Sequence, residues 1–274
     1  MIETFSLFFV AAALAAPSAS LPAGPLITVW EHSAKVDIAP VVEGAGFNTV
    51  WTHDKPYSGE KLEETLMHRH LQTPGVKYVI AKIERSIWGW THEQSLKHAE
   101  WIANLSLTQQ GIIGVYLNDF YGEMEAKEKT PEKGGRTAGQ WREIIARLRA
   151  INPRLAIWVP CYPPRELEYP FDFDFDAVIF NVYNTKQIPN AEKLLVEAEK
   201  KFPGKPIVTG LYLSAGSERR WITEEEFKGL MDLFVRHINE GKTVGLRIFR
   251  AQNLQERPEY MTWAKEALEK LKRR

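Results

Sequence analysis

The stretch Ile112-Ile113-Gly114-Val115-Tyr116-Leu117-Asn118-Asp119 rises as an apolar run to a carboxylate, then breaks into Phe120-Tyr121-Gly122-Glu123. An apolar run of this length with β-branched residues reads as a buried strand. A carboxylate at the exit of such a strand sits where α/β barrels keep their chemistry. The stretch therefore asks whether the rest of the chain supplies the other strands of a barrel.

It does. Seven more strand-like runs occur: Leu26–Trp30, Phe47–Trp51, Val76–Glu84, Leu155–Pro160, Ala177–Tyr183, Pro206–Leu213 and Val244–Phe249. Between them Glu60–His70, Thr91–Gln109, Thr137–Ile151, Ala191–Phe202 and Thr223–Gly241 carry helical spacing, and Met261–Lys272 closes the chain as an amphipathic helix. Strands alternating with helices imply parallel βαβ units, and eight units close a barrel. Gly44-Ala45-Gly46, Asn152-Pro153 and Pro203-Gly204 stand before strands, where helices end. Thr223 followed by Glu226 has capping-box spacing. The helix after the fifth strand is the least visible; Pro163-Pro164-Arg165-Glu166-Leu167 reads as a short turn. The segment from Tyr121 to about Gly139 reads as a long charged loop, either a functional lid or a solvated, mobile insertion. The expectation is a single-domain (β/α)8 TIM barrel over residues 25–274, and 274 residues suit a fold that takes about 250.

Composition narrows the partner. Thirty-five basic and 35 acidic residues give a formal net charge of +0, without the basic footprint of a nucleic-acid binder. Phe5–Ala16 is apolar and Ala-rich, and Ala13-Leu14-Ala15 and Ser18-Ala19-Ser20 offer small-residue cleavage sites. Residues 1–24 thus read as a signal peptide and leader, although Glu3 stands where a basic residue is usual. The run is short for a membrane span of about 20 residues. A secreted or periplasmic monomer is expected, with no membrane span in the mature protein. Cys161 is the only cysteine, so no intrachain disulfide can form. No phosphate-binding glycine loop and no metal-ligand spacing occurs, so neither a cofactor nor a metal is expected.

Side chains alternate along a strand, so polar residues in phase near the strand ends should converge on one mouth. The candidates are Lys82 and Glu84 on the third strand, Asn118 and Asp119 on the fourth, Asn181 and Tyr183 on the sixth, Tyr212 on the seventh, and Arg247 then Arg250 on the eighth. Glu31 and His32 follow the first strand, and His53 follows the second. Asp119 is the leading catalytic candidate, with Glu84 its partner because it is strand-borne and in phase. Glu31, His53, Trp88, Asn118, Tyr121, Glu123, Asn181, Tyr183, Tyr212 and Arg250 are candidate substrate contacts. Flat rings such as Trp88 and the tyrosines suit sugars, offering an apolar face and a polar tip.

On these residues the chain resembles the secreted, glycoside-hydrolase-like (β/α)8 barrels. The resemblance is architectural across residues 25–272 and motif-level at Gly114-Val115-Tyr116-Leu117-Asn118-Asp119-Phe120, similar to a Gly-hydrophobic-x-hydrophobic-Asp-Asp-Phe stretch in uncharacterised barrels of that kind. It implies cleavage of an oligo- or polysaccharide with Asp119 as the central acid. The large retaining-glycosidase clan ends its seventh strand in Glu, whereas this chain has Tyr212-Leu213-Ser214. That difference keeps a non-catalytic carbohydrate-binding barrel open as an alternative. His32, His53 and Arg250 keep open a barrel phosphodiesterase.

Overall fold

The computed structural model describes residues 21–55, 57–83, 89–129, 135–170, 172–215 and 220–272. Eight parallel strands close into one barrel: β1 (Leu26–Glu31), β2 (Thr49–Thr52), β3 (Tyr78–Ile83), β4 (Ile112–Leu117), β5 (Ala156–Cys161), β6 (Ala177–Val182), β7 (Ile207–Tyr212) and β8 (Gly245–Phe249). Each pairs with its sequence neighbours, and β1 pairs with β8 to complete the ring. Every expected strand is present, and its ends fall within about two residues of the sequence expectation.

Nine helices cover the barrel among the described residues: α1 (Ala39–Ala45), α2 (Leu66–Leu71), α3 (His92–Thr108), α4 (Phe120–Lys129), α5 (Ala138–Ile151), α6 (Ala191–Lys201), α7 (Glu224–Asn239), α8 (Ala251–Glu256) and α9 (Pro258–Leu268). Thr91, Thr137 and Thr223 each close a capping box, satisfying amide groups that a helix start leaves without partners. Two elements correct the sequence reading. The lid-like loop after β4 begins as helix α4, whose Phe120, Tyr121 and Met124 are buried against the core. Spacings of one and four residues put these three on one face, but Gly122 and the dense charge hide the pattern. After β7, Ser214–Ala215 pairs antiparallel with Arg220–Trp221, a small hairpin the sequence did not announce.

Alternation sorts the strand residues into two sets. One set faces the helices, with Val29, Val50, Ile83, Val115, Leu117, Ile157, Val178, Leu211 and Ile248 in the larger core. The other fills the lumen: Leu26, Trp30, Trp51, Ile80, Tyr116, Trp158, Ile179 and Val208. Trp51 and Trp158 meet edge to face with centroids 5.4 Å apart, and the Trp51 indole N–H donates to Thr28 Oγ1 at 2.7 Å. Trp51 is thus a plug beneath the mouth, not a rim platform. Gly114 makes this possible, because a Cβ there would lie 2.7 Å from Trp158 Nε1. Above the plug the lumen turns polar, and the site begins.

Candidate functional site

A cavity of about 1140 Å³ opens at the C-terminal end of the strands. Asn118 and Asp119 enter it from the end of β4, His53 from β2, Lys82 from β3, Tyr183 from β6, Tyr212 from β7, and Arg247 and Arg250 from β8. Its only non-glycine residues with positive φ are Asp119 (44°) and Arg250 (70°), and these are also the only two among the described residues. Backbone in this region costs free energy for residues with a Cβ, and such positions gather at functional sites. At Asp119 the bend turns the carboxylate off the strand while its carbonyl oxygen accepts the Glu123 N–H and starts α4. Its Oδ1 accepts the Tyr162 hydroxyl at 3.2 Å, and that hydroxyl also lies 3.2 Å from the Tyr212 hydroxyl.

Rings form a belt around the mouth. Tyr183 meets Tyr212 edge to face, and Tyr212 stacks on Phe249 with centroids 4.1 Å apart. Phe249 stacks on Trp30 at 4.4 Å, and Trp30 on His32 at 4.6 Å. The His32 and His53 rings follow, 6.5 Å apart. Burial raises the Tyr116, Tyr162 and Tyr212 phenols above their ordinary range, so all three hold their protons at neutral pH.

The sequence reading missed a second carboxyl group. Glu166 lies in a 3-10 turn, Arg165–Glu168, just after β5, and lines the same cavity. Its Oε2 accepts the Tyr162 N–H at 2.8 Å. The side chain of Gln187, whose Oε1 accepts the Tyr183 N–H at 2.6 Å, also donates to the Pro163 carbonyl and so binds the β5 and β6 loops together. Burial, helped by the charge of Asp119, pushes the Glu166 carboxyl up to about 8, against the opposing Tyr162 hydrogen bond and Arg165 charge. Glu166 is therefore a carboxylic acid at neutral pH, able to donate a proton. The only sequence signal was its place shortly after a strand end, beside two prolines that suggested a plain turn.

Four expected contacts point elsewhere. Glu31 is one residue out of phase with Trp30, so it faces away from the lumen. It is 0% exposed, and its two oxygens accept the N–H groups of His32, Ser33 and Gln252. Burial alone would raise its carboxyl, but these bonds and the His32 side chain outweigh that and hold it below the ordinary range. Tyr121 lies on α4, stacks on Tyr169 and donates to the Pro170 carbonyl at 2.6 Å. Glu123 is buried in an ion pair with Arg136 at 3.0 Å, since α4 turns it inward behind the barrel wall. Asn181 is in phase with the lumen but sits below the cavity, where its Oδ1 accepts Arg247 Nη2 at 2.5 Å. Glu84 and Trp88 lie outside the described residues. Among the described residues no group of three His, Cys, Asp or Glu side chains could hold a metal ion, and no helix is long and apolar enough to cross a membrane.

No protein-family model and no curated protein matches the chain. Solved structures do. An endo-β-mannanase/endo-β-glucanase from Prevotella bryantii aligns over 84% of this chain and 43% of its own, with 14% identity and a TM-score of 0.53. A glycoside hydrolase family 5 enzyme from the same organism, solved with a xyloglucan tetradecasaccharide, aligns over 84% of this chain and 85% of its own, with 14% identity and a TM-score of 0.54. A thermostable mutant of a xylanase from Cellvibrio japonicus aligns over 83% and 86%, with 12% identity and a TM-score of 0.57. The chain spans under half of the first enzyme's length and most of the other two. At such identities the likeness is one of architecture, and that architecture is the (β/α)8 barrel found in glycoside hydrolases.

Proposed function

We propose that this barrel is an exported carbohydrate-active enzyme that hydrolyses a glycosidic bond in an oligo- or polysaccharide, with Asp119 as its central carboxylate. The observation that carries the reading is the convergence of two carboxyl groups, Asp119 on bent backbone at the end of β4 and the buried Glu166 after β5, on one aromatic-belted cavity. Glycosidic cleavage needs one carboxyl group to protonate the leaving oxygen and another to attack the anomeric carbon or activate water. Glu166 has the protonation state of the acid, and Asp119 is assigned the second role. Glu84, beyond the end of β3, is the partner that strand phase favours, so the assignment is tested on all three. The rings from Tyr183 to Trp30 would carry sugar faces, and Asn118 and His53 would meet hydroxyl groups. The leader at residues 1–24 would deliver the enzyme to the periplasm or the medium.

The test is a polysaccharide-depletion and product screen of residues 25–274, with Asp119→Asn, Glu166→Gln and Glu84→Gln beside wild type. Cleavage by wild type, reduced about a hundredfold or more in Asp119→Asn, is the expected result. Full activity in Asp119→Asn would remove the assignment. One observation favours a second reading, a non-catalytic sugar-binding barrel: β7 runs out into Tyr212, the buried Leu213 and Ser214, with no acid at the strand end. Saccharide binding by wild type and Asp119→Asn alike, without cleavage, would establish that reading instead.

A further inference from the structure

Charged side chains of both signs line the cavity among its described residues, with Arg165 beside Glu166 after β5 and Glu256 on α8 after β8. Asp119 and Glu166 rise from β4 and β5, while Arg247 and Arg250 rise from β8, which faces β4 across the ring. Lys82 stands beside β4 on β3, its ammonium 5.1 Å from the Trp30 ring centre. Arg247 is the unusual member. It is 1% exposed at the cavity floor, yet among the described residues no carboxylate pairs with it. Its guanidinium donates to the neutral amide of Asn181 and to the Tyr116 hydroxyl, and its Nε finds no acceptor among the described residues. The rings of Trp51, Tyr116 and Phe249 lie 5.5, 5.7 and 5.9 Å from the guanidinium carbon. Ring faces attract a cation without neutralising it. The nearby phenols are protonated, so they too offer dipoles and no charge.

A buried cation without a counter-charge is costly to a fold, and the barrel spends a second constraint to keep it. Gly210 on β7 leaves space for the Asn181–Arg247 pair: a Cβ there would lie 2.6 Å from Asn181 Oδ1 and 3.5 Å from Arg247 Nε. Arg250, at the rim on its bent backbone, adds a second guanidinium on the same side. A planar guanidinium is suited to a carboxylate, which its fork can grip with parallel hydrogen bonds.

Resting on the reading of the cavity as a carbohydrate site, we infer that its substrate is an acidic saccharide, whose uronate carboxylate lies against the β8 side at Arg247 while its glycosidic bond faces Asp119 and Glu166. The missing counter-charge of Arg247 belongs to the ligand. Binding would then fix the sugar's orientation as well as its class, because only one way round brings the carboxylate to β8 and the bond to β4 and β5.

Calorimetric titration of the protein with galacturonate and glucuronate oligosaccharides, against neutral galactose and glucose oligosaccharides of equal length, tests this. Wild type should bind one acidic series about tenfold or more tighter than its neutral counterpart, the size of a charge-assisted hydrogen bond. The preference should weaken as salt is raised. Arg247→Gln should bring acid and neutral sugars level, and Arg247→Lys should restore only part of the difference. Equal or tighter binding of the neutral series by wild type overturns the inference and leaves the carbohydrate reading standing. Binding of neither series overturns both. If the Arg247 variants fail to fold, the wild-type preference and its salt dependence still decide, and Arg250→Gln reports the rim alone.

Discussion

Replacing Glu166 with Gln should stabilise this protein, and only at high pH. The residue is 8% exposed, and its carboxyl is pushed up to about 8 from an ordinary value of 4.5. The unfolded chain releases that proton near 4.5 and the folded chain keeps it, so folding takes up a proton between the two values. Stability from this group is therefore full below pH 4.5 and is lost as pH rises toward 8. At ~1.4 kcal/mol per pH unit the ceiling is about 5 kcal/mol, and relaxation of the site brings the expected loss to about 2–4 kcal/mol. Glutamine keeps an oxygen for the Tyr162 N–H and has no proton to lose. Urea unfolding of wild type and Glu166→Gln at pH 5 and pH 9 measures the effect. The variant should match wild type within about 1 kcal/mol at pH 5 and exceed it by about 2–4 kcal/mol at pH 9. A difference that is the same at both values would refute the claim that burial holds the proton on Glu166, and with it the role of Glu166 as acid.

Three other outcomes follow from the same packing. His70 and His98 are buried and lowered, mainly by burial, to about 4 and about 3 from 6.5, so folded protein keeps them neutral while unfolded chain takes up protons. Their contribution is present above pH 6.5 and lost as pH falls toward 4, up to about 3 kcal/mol for His70; because Glu166 opposes it over part of that window, the loss should be read in the Glu166→Gln background, where a flat profile would contradict it. Glu123→Ala should cost about 3–5 kcal/mol by removing the buried carboxylate paired with buried Arg136, checked by urea midpoint, and a cost under about 1 kcal/mol would mean that this pair contributes little to the fold. Gly210→Ala should destabilise by about 1–3 kcal/mol through its clash with Asn181, and Asn181→Ala in the same chain should relieve much of that, which a double-mutant cycle would detect.

The barrel was legible because its strands obey a simple alternation. The in-phase set from Trp30 to Arg247 was readable as a lumen, and Lys82, Tyr212 and Arg247 were visible as polar residues within it. The same rule could have excluded Glu31, which follows Trp30 by one position and so had to face outward. Nothing so regular marked Glu123 or Glu166. Glu123 depends on whether the chain continues as α4 after Asp119, and a glycine amid charges gives no such notice. Glu166 depends on how far a proline turn carries the chain back over the mouth, a distance that no local periodicity encodes. Charge partners were equally hidden: that Arg247 would meet an amide, a phenol and rings, and no acid among the described residues, is a property of several strands together.

The hydrogen bond from the Gln252 amide to Glu31 spans 221 positions and lies beside the β1–β8 pairing. Together they are the seam of the ring, the place where the first-made edge of the sheet meets the last. On a ribosome the Glu31 carboxylate must wait for almost the whole polypeptide before its final amide partner arrives. Cutting the chain in an exposed helix–strand connection and joining the old ends would move the seam without unpicking it. A chain stopped before β8 would instead emerge with an open edge strand and an acid still seeking a donor.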